Sequence, residues 1–350
     1  MKGTSSNQPR SARRARAQQQ TRSKAAQNRE VAGKRPGGRP RRGFRWWWLL
    51  LAALPLAAIL AWWLLTPRES AQSRAPLGGA LCGAFPPFAS ALGFSPQTNI
   101  DTGDTRRPGL ALVDKTRPEG QQTYQHPSWT RAGYLGAAVL DARGNIYVAP
   151  TPQTSLLLNP LGQQNKIYRV DAQTGEMTEY VALPAAAEAT ETNPFGVLGL
   201  VTDCDTNSLY ASSVAGSTRD GEVGRIYRID LTSGKVVSQL DGVDAIGIVT
   251  GNTRGGKRLY FGRARIGDVE SVALDKSGNF SGAPQPEFSI ADRAIDGDGR
   301  VRRLSWARDG GLAVVISPFS YTLAPPTSRQ QLVYRYDTAS GSWAAAESAL

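Results

Sequence analysis

The residues able to do chemistry are few and far apart. His126, in YQHPSW, is the chain's single histidine and its candidate general base. No second histidine exists to relay a proton or share a metal, and Pro127 beside it points to a strand-ending turn. Cys82 and Cys204 form no C-x-x-C or Cys/His pair, which argues against zinc and iron–sulfur centres and leaves open a disulfide between them or a free Cys204. Carboxylates cluster twice, as Asp203 and Asp205 in TDCDTN and as Asp296 and Asp298 in IDGDGR. Both resemble calcium loops in composition, yet neither has the glycine and the distal glutamate that such a loop needs, so the first reads as a tight turn. No G-x-S-x-G elbow and no glycine-rich phosphate loop occurs.

The elements that must position these residues are hairpins. IYRVDAQTGEMTEYV begins at Ile167, IYRIDLTSGKVVSQL at Ile226, VESVALDKSGNFSG at Val269 and LVYRYDTASGSWAAA at Leu332. Each reads as an alternating strand, a turn rich in Asp, Ser or Thr and Gly, and a second strand. A weaker copy, LALVDKTRPEGQQTY, begins at Leu110. Ahead of the four stronger copies lies another hairpin, as in LGAAVLDARGNIYVAP and GVLGLVTDCDTNSLYASS, whose first strand is small, apolar and glycine-bearing. Two hairpins make a four-stranded unit that buries its faces against its neighbours. The chain is therefore all-β, a β-propeller of five four-stranded blades with a sixth left open. The inner strands of the first blade are sought in residues 84–105, with FASALGF as the candidate.

The turns YRVDAQTG and YRIDLTSG, with DARGNIYVAP, resemble the superfamily of NHL-repeat, SMP-30/gluconolactonase and TolB-like propellers over roughly residues 108–350. That resemblance implies a fold and leaves the activity open. In the lactonases a divalent metal, calcium for example, sits in the central channel on acid and amide side chains. Here the resemblance points to Asn193 and Asp244, joined by Asp296 from the second carboxylate cluster. Phe195 stands where the family's asparagine is expected, so the preferred reading has no cofactor. The loop-rich face of a propeller carries Trp129, Arg131, Asn193 and Arg219, and further along Asp220, Asp296, Asp298 and Tyr321. Leu156–Leu158 are placed in the same set of long loops. The function expected is a binding module for a protein partner or small ligand at that face. The alternative is a metal-dependent hydrolase of lactones or esters.

Ahead of the propeller, residues 44–66 carry an uncharged apolar run from Trp46 to Leu65, long enough to span a bilayer. Trp46, Trp47 and Trp48 at one end and Trp62 and Trp63 at the other match interfacial aromatic belts. The formal net charge of +12 is concentrated in residues 1–45, which hold fourteen Lys/Arg and the single acid Glu30. The positive-inside rule then keeps the tail in the cytoplasm and sends the propeller outward, as at a bacterial inner membrane. Arg41–Phe44 also resembles a twin-arginine export signal with Ala71-Gln72-Ser73 as its cleavage site, so a retained anchor and a cleaved signal both stand. Residues 1–43 read as a disordered tail, its partner anionic lipid and not nucleic acid. The glycine at Gly37 breaks the AT-hook that KRPGGRPRRG resembles. Residues 67–108 read as a linker entering the propeller, and 109–350 as the propeller itself.

Overall fold

The computed structural model describes residues 71–79, 82–153, 155–294, 297–324 and 328–346. The basic tail, the apolar run with its five tryptophans, and Asp296 lie outside them. Among the described residues no helix is long and apolar enough to cross a membrane.

The strands build five antiparallel sheets in chain order, a five-bladed β-propeller. A short helix α1 (Ala71–Arg74), strand β1 (Pro76–Gly78) and helix α2 (Pro87–Ala91) come first. Blade 1 has β2 (Asn99–Asp101), β3 (Ala111–Val113) and β4 (Thr123–Tyr124). Blade 2 has β5 (Leu135–Leu140), β6 (Ile146–Pro150), β7 (Lys166–Val170) and β8 (Met177–Ala182). Blade 3 has β9 (Val197–Asp203), β10 (Ser208–Ser213), β11 (Arg225–Asp230) and β12 (Lys235–Asp241). Blade 4 has β13 (Ala245–Thr253), β14 (Gly256–Arg263), β15 (Asp268–Leu274) and β16 (Phe280–Ser289). Blade 5 has β17 (Gly299–Trp306), β18 (Leu312–Pro318), β19 (Gln330–Asp337) and β20 (Ser342–Ala345).

The outer hairpins close on one repeated device. Asp171, Asp230 and Asp337 each accept backbone N–H bonds from residues two or three positions on, from Thr174 at 3.0 Å, Ser233 at 2.7 Å and Ala339 at 2.9 Å. Gly175, Gly234 and Gly341 then turn the chain at φ near +70°, which glycine adopts without a Cβ clash.

Blade 1 departs from the expected pattern. It has three strands, and FASALGF is not an inner strand but contains α2, which puts Phe88 and Phe94 into the core beside Trp129. Pro86 and Pro87 set the start of that helix, and its apolar face finds a ready partner in the side of blade 2. From blade 1 through blade 5, each blade packs on the next through an apolar cluster. Tyr147 and Ile167 of blade 2 meet Leu209 and Tyr227 of blade 3, and Tyr210 and Ile226 of blade 3 meet Leu259 and Phe261 of blade 4. Burying such side chains contributes about 1.5–3 kcal/mol each, so the blades are stable as neighbours. The inner strands approach closely enough to demand glycine. A Cβ on Gly199 would lie 2.1 Å from the Ile246 carbonyl oxygen, and one on Gly247 2.9 Å from Arg303 Cα.

The first inner strand segment of blades 2, 4 and 5 carries a bulge, between Leu135 and Ala138, Ala245 and Ile248, and Val301 and Arg303. Blade 3 has the same irregularity where Ser213 pairs with Val197. Each bulge re-aims the side chains at the loop-bearing end of the strand.

Residues 72–79 and 82–85 form a strap across the opposite end. β1 pairs with β13 through Pro76 and Thr253, and Gly79 packs on Trp306 of blade 5. Cys82 is joined by a disulfide to Cys204 in the β9–β10 turn of blade 3, and the Ala84 N–H bonds the Asp141 carbonyl in blade 2 at 3.0 Å. The Arg74 guanidinium meets the buried Glu287 carboxylate at 2.7 Å. The strap thus touches the inner turns of four blades.

Candidate functional site

At the end away from the strap, the β10–β11, β14–β15 and β18–β19 loops surround a cavity of about 540 Å³. Its base is a small apolar cluster of Phe195, Ile246, Ala264 and Tyr321, with Leu198 and Phe319 packed against it. The Phe195 and Phe319 rings lie 5.5 Å apart, and Phe319 meets Tyr321 edge-on at 5.3 Å. Four arginines line the walls, Arg219, Arg265, Arg300 and Arg302, with Asp298 as the carboxylate among the described lining residues.

β17 explains the arginines. In the other four-stranded blades this inner strand is small and apolar, but here it reads Arg300-Val301-Arg302-Arg303. The bulge at Arg302 breaks the alternation, while Val301 turns into the blade core. The Arg302 guanidinium lies 4.9 Å over the Phe319 ring, a cation–π contact. Burial alone pulls its pKa well below the ordinary guanidinium value, to about 10, because desolvation penalises the charged form. Its Nη1 is buried without a hydrogen-bond partner, and so is Arg300 Nε. Arg265 spends Nη1 on the Thr218 carbonyl at 3.1 Å and Nη2 on that of Arg219, which fastens one wall to the next.

A second set of polar groups locks the loops beneath. Asp244, fully buried, accepts from Ser217 Oγ at 2.5 Å and the Gly224 N–H at 2.9 Å on one oxygen, and from the Tyr321 hydroxyl at 2.5 Å on the other. Burial raises its carboxyl above the usual carboxylate range in spite of these donors, and burial beside this acid likewise raises the Tyr321 phenol. Glu222 accepts the Asp244 N–H at 2.6 Å and holds Arg263 at 2.7 Å, while Arg263 reaches Glu270 at 3.0 Å. Asn193 donates to the carbonyls of Val214 at 2.8 Å and Ser217 at 2.9 Å, and its own carbonyl accepts the Phe195 N–H at 3.2 Å. Asn193 and Asp244 are therefore clasps between loops, with their polar atoms already engaged, rather than free ligands in a channel.

Of the residues expected at the loop face, Arg219, Asp298 and Tyr321 come together at the cavity. Asp220 is exposed on the β10–β11 loop, its N–H bonded to Thr218 Oγ1 at 3.3 Å. Trp129 is not a face residue. It is wholly buried, packs on Tyr124 and Phe88, and donates its indole N–H to Gly175 at 2.7 Å, stitching blade 1 to blade 2. Arg131 lies nearby on the outside, 3.8 Å from Glu176 in the last turn of blade 2. His126 caps a short 3-10 turn, Pro127–Thr130, by accepting the Ser128 N–H on Nδ1 at 3.2 Å. It has no carboxylate partner among the described residues, so nothing arranges it as a base. No group of three His, Cys, Asp or Glu side chains converges as a metal site among the described residues. The sequence reading passed over Arg265, Arg300, Arg302 and Phe319. The run of arginines in an inner strand was the visible signal for two of them.

No protein-family model and no curated protein matches the chain. Solved structures similar to it include a calcium-binding regucalcin of Agrobacterium tumefaciens, 14% identical over 74% of this chain and 75% of that one, with a TM-score of 0.38. They also include the β-propeller domain of Cps50 (Swd1) from Myceliophteria thermophila, 12% identical over 71% and 68%, with a TM-score of 0.40. The periplasmic gluconolactonase PpgL of Pseudomonas aeruginosa is 21% identical over 49% of this chain and 46% of its own, with a TM-score of 0.32. The likeness is one of fold alone, and the five blades are read from the chain's own sheets.

Proposed function

We propose that the chain is a membrane-anchored, extracytoplasmic binding module whose site is the cavity at the loop face. The observation that carries this reading is the cavity itself. Its volume of about 540 Å³ falls in the range of small-ligand sites, and it joins an aromatic base to a charged wall. Two of the three residues that would serve a channel metal, Asn193 and Asp244, are engaged in holding the loops, which favours binding over metal-dependent hydrolysis. The Cys82–Cys204 disulfide supports an oxidising compartment, in keeping with the aromatic-belted run and its positive flank.

Two experiments test this. Protease added to intact spheroplasts should digest the propeller and spare the tail, and the reverse pattern sinks the orientation. Hydrogen exchange on the full chain in detergent, with a small-molecule library, should show ligand protection over residues 214–224, 264–267 and 318–324. Protection confined to other loops sinks the site.

A further inference from the structure

The pairing of arginines elsewhere in the fold sets the cavity apart. Arg263 lies between Glu222 and Glu270, Arg74 meets Glu287, and Arg225 meets Asp241 at 2.6 Å. Arg258, fully buried, hydrogen-bonds Ser271 and Gln285 and lies 3.8 Å from Glu287. Arg228, buried without an ion pair, instead has side-chain hydrogen bonds to Ser208 and Asn279. The four cavity arginines bond no side chain among the described residues. Arg219, Arg265, Arg300 and Arg302 make no ion pair among the described residues, and Asp298 is the one described acid beside them. Arg265 and Arg300 bond only backbone carbonyls, at Thr218, Arg219 and Gly299. Arg302 makes no side-chain hydrogen bond or ion pair among the described residues, and its Nη1 is closed off from solvent without a hydrogen-bond partner.

A guanidinium held out of water without a counter-charge raises the energy of the folded chain, and such a position persists where a bound anion supplies the missing charge. The planar, forked donors of arginine suit oxyanions in particular, since two N–H groups can meet two oxygens at once. The aromatic base adds a second requirement. Phe195 and Phe319 offer apolar contact to a carbon skeleton, which a bare inorganic ion lacks.

We propose that the loop-face cavity binds a small organic polyanion, bearing at least two carboxylate or phosphoryl groups, with Arg300 and Arg302 as inner counter-charges and Arg219 and Arg265 closing over it. This rests on the binding reading above and gives its ligand a chemical class. Recognition comes in two layers. The inner pair lies on a strand and is fixed before binding; the outer pair lies on loops tied to one another through the Arg219 carbonyl.

The test is titration calorimetry on the full chain in detergent, dialysed into a buffer of low ionic strength. The probes are citrate, pyrophosphate and neutral glucose. Citrate or pyrophosphate should bind below millimolar, weakening as salt rises, and glucose should not. Tighter binding of citrate assigns the carboxylate class and of pyrophosphate the phosphoryl class. Arg302→Gln and Arg300→Gln should each weaken binding at least tenfold, while Arg131→Gln, on the far side of blade 2, leaves it unchanged. Arg219→Gln, on an exposed loop with no packing to lose, should weaken it about threefold and guards against a folding artefact in the strand variants. Failure of both anions, or binding indifferent to Arg300, Arg302 and Arg219, overturns the proposal. If the anions fail while an uncharged ligand still protects the cavity loops from exchange, this inference falls and the binding reading stands. If nothing protects those loops, both fall.

Discussion

Replacing Arg302 by methionine should make the empty protein more stable. Burial pulls the guanidinium down to about 10, and a depression of that size corresponds to about 3 kcal/mol of penalty on the charged form. A depressed pKa on a cation means that the penalty is present in full below about pH 10 and fades only as pH climbs beyond it. Against this stands the contact with Phe319, worth about 1–2 kcal/mol when desolvated. Methionine keeps the length and apolar contact, so the net gain is about 1–2 kcal/mol. For a domain of this size that is a rise of roughly 4 °C in Tm. The assay is thermal unfolding followed by circular dichroism at pH 7, low salt and no polyvalent anion. A polyanion should then stabilise the parent and not the variant, reversing the order. A variant that melts lower than the parent without anion would mean that the guanidinium has a counter-charge within the fold, and the reasoning would be refuted.

Four further outcomes follow from other contacts. Cys82→Ser, which opens a link across 122 residues, should cost up to about 5 kcal/mol by loop entropy and lower Tm; an unchanged melt under non-reducing conditions would show the strap held without it. Tyr321→Phe leaves one oxygen of the buried Asp244 without its donor and should cost about 1–3 kcal/mol in urea unfolding, with no loss expected if water replaces the hydroxyl. Asp171, Asp230 and Asp275 are held below the usual carboxylate range by N–H donors of Thr174, Ser233 and Asn279, so their contribution is present above about pH 4 and is lost as pH falls through the lowered values. An acid titration by circular dichroism should show that loss, and the triple asparagine variant should flatten it. EDTA should leave Tm unmoved, because the polar atoms of Asn193 and Asp244 already serve the loops; a fall on chelation would restore a metal to the channel.

The outer hairpins were legible because their information is local. An aspartate, a hydroxyl residue and a glycine within five positions determine the turn, and Asp230, Ser233 and Gly234 form it with contacts no longer than 2.8 Å. Trp129, Asn193 and Asp244 stood out as residues with chemical capacity, but their partners lie 46, 24 and 77 positions away, and those partners make them core and clasp. The arginine cavity gathers residues from three blades, so no local window contains it. Blade 1 misled for a related reason. FASALGF has the apolar density of a strand, and its helical fate depends on the prolines before it and the surface of blade 2 it covers.

The strap imposes an order in time. Pro76 pairs with Thr253, Arg74 with Glu287 and Gly79 with Trp306, so the segment made before any blade is the one whose seat is completed last. At about 5–20 residues per second, roughly nine seconds of synthesis or more separate the strap from those partners. Until then its edge has nothing to pair with. A chain that stops short of blade 4 leaves β1 without its partner strand, and so carries ahead of its blades a label of incompleteness that proteases can read.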